Sequence, residues 1–221
     1  MTKDMWVGIF EVTLGQHKTL MGAYSMNEGW YNNVPHDDTF PSVSTVWCND
    51  SYGNKKVAAT TKGGASLTSP EGIYAPCPEF FSSFASKSGL KGVRLPTWPE
   101  WQFACRAGTG TSYHNETSNA SGLAKVGRYS GNVNDGKGGF SGNATRVGSY
   151  QPNSWGIYDM HGNIYEMTSY ASHDANYGIY YGYRAGGSYQ NSASDCTASS
   201  VGQVRLGNLG YMGYRVFIQI D

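Results

Sequence analysis

The sequence predicts an α+β domain with much irregular loop, and three observations carry that expectation. Residues 6–13 alternate apolar and polar side chains as a strand does, and residues 14–21 have the mixed spacing of a short helix. Phe80, Phe81 and Phe84 recur at helical spacing ahead of Gly89, a residue suited to ending a helix. Thirty glycines and seventeen tyrosines, set against 14% charged residues, describe short elements tied by turns with amphipathic rings near the surface. At 221 residues, one domain covering 1–221 is the expectation, since no linker-like break in composition divides the chain.

Residues 51–78 read as an insertion, punctuated by Gly53, Gly63, Gly64, Pro70, Gly72, Pro76 and Pro78. Within it, residues 57–60 could pair with 73–75 as a hairpin. Arg94-Leu95-Pro96-Thr97 presents a turn and a helix N-cap, with Glu100 three residues on in capping-box position. Glu100 therefore has a structural task. Residues 108–143, rich in Gly, Ser and Asn, read as a long irregular region.

Sixteen basic residues balance sixteen acidic ones and no Lys/Arg run occurs, so the electrostatic footprint of a nucleic-acid binder is missing. No apolar run is long enough for a transmembrane segment, and Met1-Thr2-Lys3-Asp4 leads into a strand-like stretch rather than a signal peptide. Cys48, Cys77, Cys105 and Cys196 form no C-x-x-C pair, which leaves their pairing open and gives no zinc or redox motif. His17, His36, His114, His161 and His173 lack the spacing of a catalytic zinc site, and no G-x-S-x-G elbow is present. His161, in the turn before Gly162-Asn163, is expected at the surface.

Three motifs follow in order. Arg94-Leu95-Pro96-Thr97 leads to Glu100-Trp101. Next comes Gly156-Ile157-Tyr158-Asp159-Met160-His161-Gly162-Asn163-Ile164-Tyr165-Glu166, and then Gly186-Gly187-Ser188-Tyr189 with Gly213-Tyr214-Arg215-Val216. Together they resemble the formylglycine-generating-enzyme type of C-type lectin fold. Phe10-Glu11-Val12-Thr13 resembles that family's opening strand, and the 41–47 segment resembles its P-V-x-x-V-x-W. The resemblance implies short twisted antiparallel sheets and two helices. It also bears on the active site, because the family's copper-dependent oxidase has two cysteines after G-G-S-Y that hold Cu(I), a soft ion that favours sulfur. Cys196 matches the second cysteine, but Asn191 stands in place of the first. The expectation is therefore no catalytic residue and no required cofactor, with Cys196 a small buried hydrophobe.

Gly162-Asn163-Ile164-Tyr165-Glu166 resembles the family's G-N-V-W-E, whose oxygens hold calcium in several members, so Asn163 and Glu166 are candidate ligands of a structural calcium. Loop hydrogen bonding is the equal alternative for both. Gln151-Pro152-Asn153 resembles the sugar-binding motif of calcium-dependent lectins, yet its place before Gly156 matches the family's own turn.

Residues 189–213 also resemble the variable segment of proteins diversified by retroelements, phage tropism determinants among them. In that branch G-G-S-W/Y and G-F/Y-R-V bracket a run of small and polar residues. Mutation of template adenines cannot yield Lys, Glu or Trp from Asn-type codons, and none of the three occurs in 189–213. Gln190, Gln203 and Met212 are then template positions that do not vary. Gly187 and Gly213 would permit close turns, and Tyr189, Tyr214 and Val216 would face inward. The ligand-contact candidates are Asn191, Ser192, Ser194, Asp195, Thr197, Ser199, Ser200, Gln203, Val204, Arg205, Asn208, Leu209, Tyr211 and Met212, with Arg205 and Tyr211 as anchors. The resemblance implies a non-catalytic ligand-binding protein at a virion or cell surface, whose partner is a protein or glycan on a host or neighbouring cell. A catalytic member with a different or lost metal site and a calcium-dependent sugar lectin are the alternatives.

Overall fold

The computed structural model describes residues 4–21, 37–42, 78–136, 144–174, 176, 179–205 and 212–220. The expected hairpin of 57–60 with 73–75, Cys48, Cys77, and the candidate contacts Asn208, Leu209 and Tyr211 lie outside them.

The first strand, β1 (Met5–Val7), is shorter than the alternation over 6–13 predicts. Beyond Val7 the chain bends at Ile9 and Phe10 and serves other partners: Gly8 N–H donates to the Val216 carbonyl, and Ser42 N–H to the Val12 carbonyl. Helix α1 (Leu14–Met21) matches its predicted span, and α2 (Pro78–Ser88) buries Phe80 and Phe81 before ending at Gly89 with a φ of 72°. After β2 (Val93–Arg94), the capping box forms as expected at α3 (Trp98–Arg106). Glu100 N–H donates to Thr97 Oγ1, Thr97 N–H donates back to Glu100 Oε2, and Arg94 grips the same carboxylate at 2.6 and 2.8 Å.

Two expectations change here. Residues 108–143 are not all irregular, because Asn119 caps a short helix α4 (Ala120–Val126) by accepting Gly122 N–H, which makes four α-helices among the described residues instead of two. Nor are the sheets purely antiparallel. The smaller sheet orders β1-β7-β2, with β7 (Phe217–Gln219) antiparallel to both neighbours. The larger orders β5-β4-β3-β6 from β3 (Tyr165–Asp174), β4 (Ile179–Ala185), β5 (Val201–Arg205) and β6 (Met212–Gly213), and its β3-β6 pair is parallel.

One buried ion pair joins these parts. Arg215 and Glu166 are 0% and 1% exposed and meet at 2.6 Å. Arg215 also donates to the carbonyls of Gly8, Ile9 and Tyr158, and Trp101 Nε1 donates to Glu166 Oε2 at 2.9 Å. Two more buried carboxylates adjoin the pair. Glu11 accepts from Asn163 Nδ2 at 2.8 Å, and Asp159 Oδ2 accepts from Gly148 N–H while its Oδ1 has no partner. Burial, together with Asp159 and Glu166, raises the Glu11 carboxyl well above its ordinary value. Burial raises Asp159 to about 6 against the Gly148 N–H and Arg215.

Removing one partner of a buried pair strands the other charge, a loss of about 3–5 kcal/mol. Arg215→Met should fall by that amount in chemical denaturation, and adding Glu166→Gln should recover part of it; an unchanged midpoint for the single variant would count against the pair's role. Asp159 carries the opposite signature. Its folded pKa of about 6 exceeds the ordinary 3.8, so its contribution is complete below about pH 4 and is lost as the pH rises through 6. Asp159→Asn should therefore melt above wild type at neutral pH, with the gap closing on acidification.

Candidate functional site

The C-terminal segment is bracketed by two close approaches that only glycine permits. At Gly187, with a φ of 75°, a Cβ would lie 2.6 Å from Cys196 Sγ; at Gly213 it would lie 2.2 Å from Ile164 Cδ1. Between them, Tyr189 and Cys196 are buried, as are Tyr214 and Val216 just beyond, so the framework faces inward. Tyr189 N–H donates to the Asn163 carbonyl, Ser130 N–H to the Asn191 carbonyl, and Ala198 N–H to the Ser112 carbonyl. A single 3-10 turn over Ala193–Cys196 then leads into β5, which pairs with β4 from Ala185↔Val201 to Tyr181↔Arg205.

Ser192, Ser194, Asp195, Ser199 and Gln203 are exposed, and Asn191, Thr197 and Ser200 are partly so. Ser192 donates to Asp195 Oδ2 at 2.6 Å, and Arg106 on α3 donates to Ser199 Oγ at 2.7 Å. Two candidates need correction. Val204 and Met212 are buried in the cluster around Tyr214, Phe80 and Phe81, because each lies on a strand whose inner face closes the core. Arg205 is placed by its backbone pairing with Tyr181.

Sequence reasoning missed two tyrosines beside the segment. Tyr170 on β3, 52% exposed, packs edge-on against Tyr183 on β4 at 4.6 Å, and Gln203 donates to the Tyr183 hydroxyl. The run of tyrosines at 180, 181 and 183 was the available signal.

The position of the absent cysteine is filled structurally. Asn191 Oδ1 accepts from Ser188 Oγ at 2.6 Å, while the buried Cys196 Sγ faces the Ser188 carbonyl at 3.7 Å. Burial pushes the Cys196 thiol up to about 12 and the Cys105 thiol higher still. A Cu(I) site needs paired thiolates; here one protonated sulfur faces a backbone carbonyl and an amide stands at position 191, so the donor set does not fit copper.

Calcium fits no better at Asn163 and Glu166. Asn163 Oδ1 accepts Thr145 N–H at 2.9 Å and its Nδ2 donates to Glu11, while both Glu166 oxygens serve Arg215 and Trp101. Among the described residues, no group of three His, Cys, Asp or Glu side chains is arranged to hold a metal. Asn153 is also occupied: its Nδ2 donates to the Ala104 carbonyl and its Oδ1 accepts from Trp155 and Ile157 N–H.

His161 is not at the surface but fully buried. Gly162, with a φ of 77°, turns the backbone so that its N–H reaches the Gly186 carbonyl, and this draws the preceding imidazole beneath the segment. Its Nδ1 meets the Cys196 carbonyl at 2.8 Å, and its Nε2 accepts His114 N–H at 3.1 Å.

The sulfatase-modifying factor enzyme 1-like domain matches residues 3–220. The chain belongs to this family. Formylglycine-generating enzyme from Mycobacterium tuberculosis is 35% identical over 82 residues, which is 35% of this chain and 27% of the enzyme. The matched stretch thus spans about a quarter of that relative. Among solved structures, Treponema denticola variable protein 1 aligns over 98% of this chain and 84% of its own, with a TM-score of 0.68 and 18% identity. PvdO from Pseudomonas aeruginosa aligns over 98% and 80%, also at 0.68, with 17% identity. These likenesses establish the family's C-type lectin fold. No helix among the described residues is long and apolar enough to cross a membrane.

Proposed function

We propose that this protein is a non-catalytic ligand-binding member of the family that presents residues 189–213 as a diversified recognition surface. The observation that carries this reading is the contrast within one segment. Asn191 and Cys196, where the oxidase needs paired sulfur, are tied into the scaffold, while Ser192, Ser194, Asp195, Ser199 and Gln203 reach solvent. Small polar side chains with nearby tyrosines suit adaptable contacts, as in evolved paratopes. Fold similarity to a protein named for its variability agrees with this role.

The ligand is a protein or glycan on a host or neighbouring cell, met at a virion or cell surface where repeated display strengthens weak single contacts. Structural calcium is not needed in this account. The partial likeness to formylglycine-generating enzymes favours a catalytic member as the second reading.

Two arms separate the readings. On a glycan array and a panel of displayed envelope proteins, a bound ligand should lose about 30-fold in affinity on Arg205→Ala or Tyr211→Ala, equivalent to about 2 kcal/mol at a hot spot. Cu(I) titration should give no Cys196-dependent complex and no oxygen-dependent thiol oxidation. Copper-linked oxidation that disappears in Cys196→Ser would replace the binding reading with the enzymatic one.

A further inference from the structure

We propose that His161 and His114 form an acid-sensitive latch that fastens the start of the C-terminal segment to the scaffold and opens when the pair takes up protons. The inference concerns how the segment is held and stands whatever that segment binds.

The hydrogen bonds define the closed state. His161 Nε2 accepts His114 N–H at 3.1 Å, so the ring proton sits on Nδ1, which donates to the Cys196 carbonyl at 2.8 Å. A second proton on Nε2 would set two N–H groups against each other. The His114 ring stacks on His161 at 4.9 Å and is itself buried, and neither of its ring nitrogens has a hydrogen-bond partner. Cations on both rings would repel at that distance.

No carboxylate among the described residues stabilises a cation on either ring. From α3 come the Cys105 thiol, 3.7 Å from His161 Nε2, and the positive charge of Arg106. Tyr113 meets His161 edge-on at 5.4 Å, and the Cys196 residue contributes its carbonyl. The Gln151 and Pro152 backbone favours a cation on His114, as the Cys196 carbonyl does on His161, but burial outweighs both. Burial accordingly lowers His114 to about 4 and, with the charges of His114 and Arg106, lowers His161 to about 3.

The sign follows from linkage. Both folded values lie below the ordinary 6.5, so the closed state is fully favoured above that pH and loses ground as the pH falls toward 3. For each imidazole, one pH unit below 6.5 shifts the balance toward the open form by about tenfold. Cys196 is the last residue of the 3-10 turn that carries Ser194 and Asp195, so releasing its carbonyl loosens the exposed part of the segment first.

Hydrogen exchange read by mass spectrometry or NMR tests the latch, with rates corrected for their intrinsic pH dependence. The Ala198 amide, bonded to the Ser112 carbonyl, should lose more than tenfold in protection between about pH 6.5 and 4.5, while amides paired between β3 and β4 keep theirs. His114→Phe retains the stacked ring without the charge, and His161→Asn places an amide donor near the Nδ1 position; each should flatten the Ala198 slope. If either variant fails to fold, the wild-type comparison of the two regions still decides. An Ala198 slope that is flat in wild type, equal to that of β3-β4, or unchanged in folded variants would overturn the proposal.

Discussion

The buried contact between Glu166 and Arg215 is the constraint on which the rest of the structure depends. Taking two charges out of water is costly, and the arrangement is tolerated only because almost every donor and acceptor on both side chains is engaged. Arg215 collects the carbonyls of Gly8, Ile9 and Tyr158, and Glu166 collects the Trp101 indole N–H. The N-terminal segment, helix α3, the turn at Tyr158 and the C-terminal strands are thereby fixed to one point. Glu166 also pairs in register with Gly213, the glycine that closes the exposed segment. The exposed side chains of Ser192, Ser194, Asp195, Ser199 and Gln203 take no part in these contacts.

What the sequence revealed was mostly local. The capping box of Thr97 and Glu100, the span of α1 and the Phe80, Phe81, Phe84 stripe depend on residues three or four apart, and each is found where it was expected. The features it concealed depend on distant partners. His161 lies in a turn and looks exposed by composition, yet the positive φ of Gly162 and the packing of Cys196 draw it inside. Val204 and Met212 belong to a segment of polar character, and only strand register assigns them to the core. The first strand ends early because Gly8 and Ile9 offer their carbonyls to an arginine more than two hundred residues away.

The same frame can carry different chemistry because its polar lattice is separate from its surface. A sulfur pair after Gly187-Ser188-Tyr189 needs a thiolate at position 191; here Asn191 stands there and accepts from Ser188 Oγ. The glycine-built turn at Gly187 persists and brings a lone, protonated Cys196 against the backbone. Among the described residues, the side chains of Ser192, Ser194, Asp195, Ser199 and Gln203 remain available to a partner, with Tyr170 and Tyr183 beside them. On the proposed reading, that surface is the function.

The most direct test is to replace Ser192, Ser194, Asp195, Ser199 and Gln203 together with other polar residues, then compare melting temperature and ligand profile with wild type. Exposed substitutions away from the core typically shift stability by about 0.5 kcal/mol or less each. The account predicts a melting temperature within a few degrees of wild type and a changed binding profile. A collapsed fold, or an intact fold with unaltered ligand preference, would contradict it.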